Sequence, residues 1–207
     1  MDNQDTDLIH TLVSQIEHPH PVEATVELWS RAENAGFGEL MASIKVVGPV
    51  MKIYHWHQLK KIKAFMRPIA EIDLKKREAF VRKLHSTHKL NSVGTLILEL
   101  LDKALGERKS MYLGKIFVAH MTDEIEYKQF VRYAEMINDA YVSDLDFFVN
   151  TKLTDIELDT IYPEVQHLLS LGFYIRKMNK FGNSLIEGLT LEYGEDGEAI
   201  SRCISSK

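Results

Sequence analysis

The chain of 207 residues is long enough for one large domain or two small ones, and its composition is that of a globular protein. Hydrophobic residues make up 45% of it and charged residues 27%, so it can bury a core and is not a disordered tail. The single cysteine, Cys203, excludes an intramolecular disulfide framework and favours a reducing compartment. The sequence shows neither a signal peptide nor an apolar run of the about 20 residues that cross a bilayer, so we expect a cytoplasmic protein.

The net charge of −5 conceals a strong segregation of charge along the chain. Residues 1–44 carry eight acidic residues and one basic residue, and residues 90–207 carry nineteen acidic and twelve basic residues. Between them, residues 45–89 carry twelve basic and three acidic residues. This basic segment can pair with the acidic segments, within the fold or across a dimer, or it can present a surface to an anionic partner. The sequence leaves both alternatives open.

Apolar residues at helical spacing predict two short N-terminal helices, over residues 7–17 and 22–34. Residues 18–21 separate them, because the two prolines there lack a backbone donor and restrict the residues before them. Pro49 suits the first turn of a helix, and it opens the long basic helix that we expect over residues 49–69.

Three more helices are predicted between residues 74 and 120. Asp73 is the expected N-cap of a helix over residues 74–84. Ser92 is the expected N-cap of a helix that extends to about residue 105, and its almost continuous apolar run predicts that this helix is the most buried one. A glycine then separates it from a helix over residues 107–120.

Two more helices are expected before residue 150. Thr122 is the predicted N-cap of a helix that extends to about residue 141, because acidic residues at positions 123 and 124 are favourable at a helix N-terminus. A short helix follows over residues 144–150. We therefore expect residues 1–150 to form a helical domain.

The rest of the chain has a different pattern. Thr154 begins a capping box, with glutamate three residues later, and predicts a helix that bends at Pro163. Strands over residues 173–178 and 184–191 are expected next, joined by a turn that contains glycine, and a closing helix over residues 196–204. Helix, strand, turn and strand in this order are typical of the C-terminal half of a winged helix.

The predicted fold class is therefore mostly α, with an N-terminal helical domain followed by a small α/β winged-helix-like C-terminal module. The helical domain is expected over residues 1–150 and the module over residues 151–207. The two parts also differ in charge, since the strongly basic segment lies wholly within the first of them.

A partner-binding surface is predicted on the basic helix over residues 49–69. At about 100° per residue, its lysines spread across one side of the helix and its apolar residues occupy another. Lysines neutralise anionic groups, and an aromatic ring among them can stack on a base or lie at a membrane interface. The alternative is an amphipathic helix whose lysines are merely solvated. The predicted partner-binding residues are Lys52, Trp56, Lys60, Lys61, Lys63 and Arg67.

DNA recognition is the alternative function for the C-terminal module. Its predicted helix and its second strand carry many carboxylates, which oppose binding to phosphates. Only three cations near the predicted hairpin favour DNA. These possible nucleic-acid contacts are Arg176, Lys177 and Lys180. The acidic balance of the module favours protein–protein or dimer contacts instead.

No pattern in the sequence indicates catalysis or a metal centre. His55 and His57 would face about 200° apart on a helix, so they cannot share a metal ion. His120, followed by two carboxylates at positions 123 and 124, is the only histidine–carboxylate cluster in the sequence, and a helix boundary explains it equally well. Cys203 has no base near it in sequence. We therefore expect no catalytic residue, no metal and no cofactor, and a chain that is not an enzyme.

Two sets of segments together form a pattern that resembles known sequences. They are residues 44–49, 59–65 and 75–80, and residues 113–119, 126–130 and 143–145. Their pattern is similar to that of uncharacterised small helical proteins of bacteria and prophages that end in a winged-helix-like tail. The resemblance extends over roughly residues 44–204. It implies a bacterial or mobile-element setting, such as phage defence, and it brings with it no activity and no functional residue. The acidic N-terminal helices and the histidine-rich stretch at 55–88 depart from that pattern.

The sequence therefore predicts a non-enzymatic interaction protein that contacts an acidic partner through a basic helical surface. A protein partner or a second copy of the chain is the expected partner. The first alternative is a DNA-binding transcriptional regulator of the winged-helix type, which requires the hairpin cations and the lysines of residues 52–63 on one face. The second alternative is an effector that binds an anionic membrane surface through an interfacial helix over residues 40–63.

Overall fold

The computed structural model describes residues 16–23, 48–151, 162–180 and 187–205. Within these ranges the side chains are described except at residues 48–56, 178–180 and 187–189. The chain divides into two compact units, Met1–Tyr127 and Lys128–Lys207, and each is described by itself. The described residues are mostly helical, with a small two-stranded antiparallel sheet near the C-terminus, as the sequence predicted.

Four helices are described in the first unit, and the predicted positions of all four are confirmed to within a few residues. They are α1 (Gly48–Ala70), α2 (Leu74–Ser86), α3 (Leu90–Lys103) and α4 (Gly106–Met121). The two helices predicted over residues 7–17 and 22–34 lie almost entirely outside the described residues.

The second unit combines helices with the sheet. Its elements are α5 (Tyr127–Asp139), which begins at the unit boundary, α6 (Val142–Asn150), α7 (Pro163–Ser170), β1 (Tyr174–Lys180), β2 (Glu187–Tyr193) and α8 (Glu195–Ser205). The sequence predicted a boundary at residue 150, whereas the two compact units meet at residue 127, so α5 and α6 belong with the sheet. Packing explains this difference, because the ring of Phe148 on α6 lies 5.0 Å from that of Phe173 and 5.4 Å from that of Tyr174.

The core of the first unit centres on α1 and α4, which lie against each other over much of their lengths. Gly114 permits the close approach, because a Cβ at that position would overlap the backbone carbonyl of Phe65 and lie 2.7 Å from Pro68 Cγ. Around this contact the ring centroids of Phe65 and Phe117 lie 5.5 Å apart, and Phe80 of α2 packs edge-on against Phe117. Aromatic packing therefore joins three helices into one core.

The helix caps agree with the sequence analysis at one of three positions. Asp73 caps α2, where its Oδ1 accepts a hydrogen bond of 2.9 Å from the backbone N of Lys75. Ser92 is not a cap, because α3 begins two residues earlier and encloses it. Thr122 is not an N-cap either, since its hydroxyl donates to the carbonyl of Val118 and so closes the end of α4. A hydroxyl satisfies a free carbonyl at a helix end as readily as a free amide at a helix start, and sequence does not distinguish the two.

The prediction that α3 is the most buried helix is wrong. Leu96 and Leu98 of α3 are only half-buried, despite the apolar run to which they belong. Helix α4 buries a larger part of its length, including Lys109 and Ser110, which are 2% and 0% exposed. The extensive contact of α4 with α1 decides this, because α3 touches α1 and α2 over only a small part of its length.

A buried guanidinium joins the N-terminal segment to α2. Arg77 is 3% exposed, and its Nε donates to the carbonyl of Ile72 at 3.0 Å. Its Nη1 donates to the carbonyls of Ile16 and His18 at 2.9 and 2.6 Å. The charge of this residue is therefore used to close the fold and does not contribute to the basic surface.

The sheet of the second unit is a single hairpin. Strands β1 and β2 pair antiparallel, with Tyr174 opposite Tyr193 at the base and Lys180 opposite Glu187 at the far end. The closing helix α8 packs closely on this module, because a Cβ at Gly197 would overlap the backbone carbonyl at residue 173. The two strands and the closing helix confirm the predicted small α/β module.

The capping box at residue 154 lies outside the described residues. Pro163 is described, and it is the first residue of α7, with Tyr162 as the N-cap. This position suits proline, since the first residues of a helix have no intrahelical partner for their N–H groups. The prediction that Pro163 bends a helix is therefore corrected to a helix start.

Candidate partner-binding surface

Three of the predicted partner-binding residues form one row along α1. At about 100° per residue, positions 60, 63 and 67 fall within an arc of about 60°. Arg67 is exposed, and Lys60 and Lys63 are half-exposed. We refer to Lys60, Lys63 and Arg67 as the α1 stripe. Positions 52 and 56 continue the same arc along the helix backbone, but the side chains of Lys52 and Trp56 lie outside the described residues.

Lys61 points away from this stripe and towards the end of α3. Its Nζ donates to the carbonyls of Leu101 and Asp102 at 3.0 and 3.1 Å. Gln58 adds a hydrogen bond of 3.0 Å from Nε2 to Asp102 Oδ1. Burial lowers the pKa of Lys61, and the nearby carboxylate of Asp102 opposes this effect. Lys61 thus acts as a C-terminal cap, where a cation complements the helix dipole.

One member of the α1 stripe, Lys60, forms an ion pair at the surface. Lys60 Nζ lies 3.5 Å from Glu107 Oε1, and the two side chains are 38% and 48% exposed. Such an ion pair at the surface contributes about 1 kcal/mol or less and exchanges readily with solvent. Within the described part of the chain, Lys63 and Arg67 make no ion pair. The stripe therefore presents its charge outwards.

The basic segment as a whole uses its cations in both of the ways that the sequence left open. Arg82 pairs with Glu78 at 3.8 Å, and Lys83 pairs with Asp123 at 2.8 Å, so part of the charge is balanced inside the first unit. The remaining described cations of this segment make no ion pair to another described residue. They are Lys63, Arg67, Lys75, Lys76 and Lys89.

A pocket that the sequence analysis missed lies between α2 and the end of α4. It has a volume of about 250 Å³ and is open to solvent. Its lining residues are Lys76, Ala79, Phe80, Lys83, Met121, Thr122 and Asp123. The α2 residues recur at spacings of three, four and seven, which place them on one face of the helix, and this signal was present in the sequence. The sequence carried no signal for the side of the pocket formed by the end of α4, because residues 83 and 123 are far apart along the chain.

Asp123 shapes the rim of this pocket. Its φ of 59° is left-handed, and its backbone N–H donates to the carbonyl of His120 at 3.2 Å, as is usual after the end of a helix. The hydrogen bond from Lys83 lowers the pKa of the Asp123 carboxyl. The carboxylate therefore remains ionised and holds Lys83 at one end of the pocket.

The hairpin cations are engaged within the second unit. Arg176 Nη2 donates to Gln166 Oε1 at 2.9 Å, and Lys177 Nζ lies 3.2 Å from Glu192 Oε2. Both cations are exposed, so each bond is a surface contact. Lys180 lies opposite Glu187 in the register of the hairpin, and its side chain is outside the described residues. The possible nucleic-acid contacts thus lie beside acidic or neutral partners.

The histidine–carboxylate cluster of the sequence does not come together as a site. His120 packs edge-on against Phe80, and its Nδ1 lies 3.2 Å from the carbonyl of Ile125, while Asp123 pairs with Lys83. Burial lowers the pKa of His120. Among the described residues, no group of three histidine, cysteine or acidic side chains has an arrangement that would hold a metal ion.

A different histidine–carboxylate pair, which no sequence pattern indicated, lies in the second unit. His167 Nδ1 and Asp144 Oδ2 are 2.5 Å apart, and Asp144 is 3% exposed. The ring of Tyr141 lies over His167 at a centroid distance of 4.7 Å. Asp144 also accepts a hydrogen bond from the backbone N of Tyr141, so it caps α6 and joins it to α7. The two residues are 23 positions apart, and only folding brings them together.

Comparison with known proteins adds no family to these observations. No protein-family model matches the sequence, no curated protein matches it, and no solved structure matches its fold. Among the helices in the described ranges, none has both the length and the apolar content of a bilayer span.

Proposed function

We propose that this chain is a non-enzymatic interaction protein that contacts an acidic protein partner through the α1 stripe. The observation that carries the proposal is that Lys63 and Arg67 lie on one face of α1 without an ion pair among the described residues. Cations that make no ion pair within the described part of the chain attract an anionic partner over a distance of about 8–10 Å at physiological salt. They also fix the orientation in which the partner docks.

An acidic protein is a better partner for this surface than DNA. The stripe contains one arginine and two lysines, whereas base recognition relies on the bidentate geometry of arginine. The chain also carries a net charge of −5, which opposes close approach to a nucleic acid outside the basic segment. A protein partner with a local acidic patch avoids this repulsion.

The wider setting belongs to the same proposal. The resemblance to small helical proteins of bacteria and prophages supports a cytoplasmic role in a bacterial or mobile-element context, such as phage defence. In this proposal the C-terminal module is winged-helix-like and mediates assembly, since the described exposed cations of its hairpin are already bonded to neighbouring side chains.

The proposal is tested by charge reversal on the stripe. The test variant is Lys63→Glu with Arg67→Glu, and the control is Lys103→Glu with Lys128→Glu, which makes the same charge change at exposed positions outside the basic segment. Fluorescence anisotropy would measure the binding of a labelled poly-glutamate peptide at low and high salt. We expect the unmodified chain to bind the peptide with micromolar affinity that weakens as salt rises. The affinity should fall about tenfold or more in the test variant, a loss of about 1.4 kcal/mol of binding free energy. It should stay within about twofold of the original value in the control.

Two further probes separate this function from its alternatives. A random-sequence DNA duplex that bound more tightly than the peptide would favour the transcriptional regulator. Flotation with anionic phosphatidylserine vesicles, but not with neutral ones, would favour the membrane-surface effector. Equal losses in the test and control variants, or no binding of the peptide at low salt, would contradict the proposal.

A further inference from the structure

The pocket between α2 and the end of α4 is too small for a cofactor. Ligand pockets for drug-sized molecules and cofactors have volumes of roughly 300–1,000 Å³. The volume here is about 250 Å³, and the pocket is open on one side. One large amino-acid side chain from another molecule fits this space better than a separate small molecule does.

The base of the pocket is apolar. Phe80 and Met121 are 5% and 6% exposed, so they present a small accessible surface at its floor, and the methyl group of Ala79 adds to one wall. Burying part of an apolar side chain against such a floor strengthens binding by about fivefold, as one anchor residue at a protein interface does.

The rim of the pocket is basic and asymmetric. Lys76 and Lys83 are two turns apart on α2, or about 10 Å along the helix axis. The ammonium group of Lys83 already forms an ion pair with Asp123. Lys76 is exposed and makes no ion pair within the described residues, so it is the cation that remains available to a ligand.

We infer that this pocket is the anchor site of the acidic protein partner, which inserts one large apolar side chain over Phe80 and places a neighbouring carboxylate on Lys76. The inference rests on the proposed function and deepens it by naming the local chemistry that the partner must carry. The apolar contact supplies affinity, whereas the carboxylate sets the direction of the bound segment. The charge of the rim matches the acidic partner that the α1 stripe requires.

The test uses two labelled acidic peptides that differ only at a central residue, which is leucine in one and serine in the other. On the unmodified chain we expect the leucine peptide to bind about fivefold or more tightly than the serine peptide, the ratio expected for burial of part of a leucine side chain. Ala79→Trp fills the pocket from an exposed position on α2 and should remove this difference. Lys76→Glu should weaken both peptides by about tenfold, whereas its exposed neighbour, Lys75→Glu, should weaken them by less than about twofold.

A second measurement makes the test independent of the variants. Met121 lines the pocket, and methyl-labelled methionine gives an NMR signal for each of the eight methionines. The leucine peptide should shift the Met121 signal, and the serine peptide should leave it nearly unchanged. Circular dichroism of Ala79→Trp and Lys76→Glu would show that both variants are folded.

The outcomes distinguish the pocket from the wider proposal. Equal binding of the two peptides, with no shift of the Met121 signal, overturns the inference. If that binding still depends on Lys63 and Arg67, the proposed function stands without the pocket. If neither peptide binds at low salt, the inference and the proposed function both fail.

Discussion

At the scale of single residues, buried or half-buried ionisable groups decide how the stability of the first unit responds to substitution and to pH. Arg77 has three backbone carbonyls as partners, two of which belong to a segment about 60 residues away in sequence. His120 is enclosed by aromatic rings on two sides. Neither residue belongs to the proposed partner-binding surface, so their substitution tests the fold and not the function.

Replacement of Arg77 by alanine should destabilise the protein strongly. The carbonyls of Ile16 and His18 lose a charged donor in a buried position, which costs roughly 2–4 kcal/mol of unfolding free energy. Urea denaturation measures this loss. Arg82→Ala, an exposed arginine on the same helix, should change the unfolding free energy by less than about 0.5 kcal/mol, and similar effects of the two substitutions would contradict the structural role.

The stability of the protein should depend on pH through His120. Burial, with a smaller opposing effect of the Ile125 carbonyl, lowers the pKa of His120 in the folded state, so the unfolded chain takes up the proton first as the pH falls. The neutral His120 ring contributes fully to the free energy of unfolding above the ordinary histidine pKa of about 6.5. This contribution is lost as the pH drops from there towards the lowered pKa of the folded state. Urea denaturation should show a smaller fall in stability between about pH 7.5 and 5.5 for His120→Gln than for the unmodified chain or for the exposed His85→Gln control.

At the scale of elements, the approach of α1 and α4 depends on a single missing side chain. Gly114 lies where α4 crosses the last turns of α1, which contain Pro68. A Cβ at Gly114 would lie 2.7 Å from Cγ of Pro68, and the closed proline ring cannot rotate away as a flexible side chain would. The close packing of these two helices holds the α1 stripe in place.

Gly114→Ala should therefore destabilise the first unit, although alanine is the better helix former. The added methyl group overlaps the carbonyl of Phe65, and the resulting strain of about 1–3 kcal/mol exceeds the roughly 1 kcal/mol that alanine gains in helix propensity. Thermal and urea unfolding measure the change. Ser92→Ala, at an exposed position inside α3, provides the control and should be neutral or slightly stabilising. A more stable Gly114→Ala protein would refute the close contact.

At the scale of the whole molecule, the chain has two compact units that each enclose a core. The first unit is held by Phe65, Phe80 and Phe117, and the second by an aromatic cluster that includes Phe148 and Tyr174. Units with separate cores open as separate cooperative regions in hydrogen exchange. The proposed partner surface and its pocket both belong to the first unit.

Hydrogen exchange of Gly114→Ala should show this division directly. We expect faster exchange of backbone amides in α1 and α4 and little change in α6, α7 and α8, because the strain arises within the first unit alone. The converse substitution, Gly197→Ala, creates an overlap with the carbonyl at residue 173 and should accelerate exchange in the second unit. Uniform acceleration across both units by either substitution would show that they unfold together.

Much of the helical framework was predictable because its determinants are local. The sequence placed α1, α2 and α8 to within one or two residues, with Pro49 marking the start of α1 and Asp73 that of α2. The failures at Ser92 and Thr122 share a cause, since a hydroxyl near a helix end has two uses and only the path of the chain selects one.

The sequence by itself determined most of the helices, the small C-terminal α/β module and the segregation of charge, because these depend on neighbouring residues and on simple sums. The tertiary structure decided which cations face outwards. It turned Lys61 towards α3 and Arg77 into the interior, and it left Arg67 and Lys76 exposed. The pocket and the Asp144–His167 pair also depend on it, because their residues are distant in sequence and meet only when helices pack. Contacts of this kind follow from the packing of whole helices, which no local pattern of residues encodes.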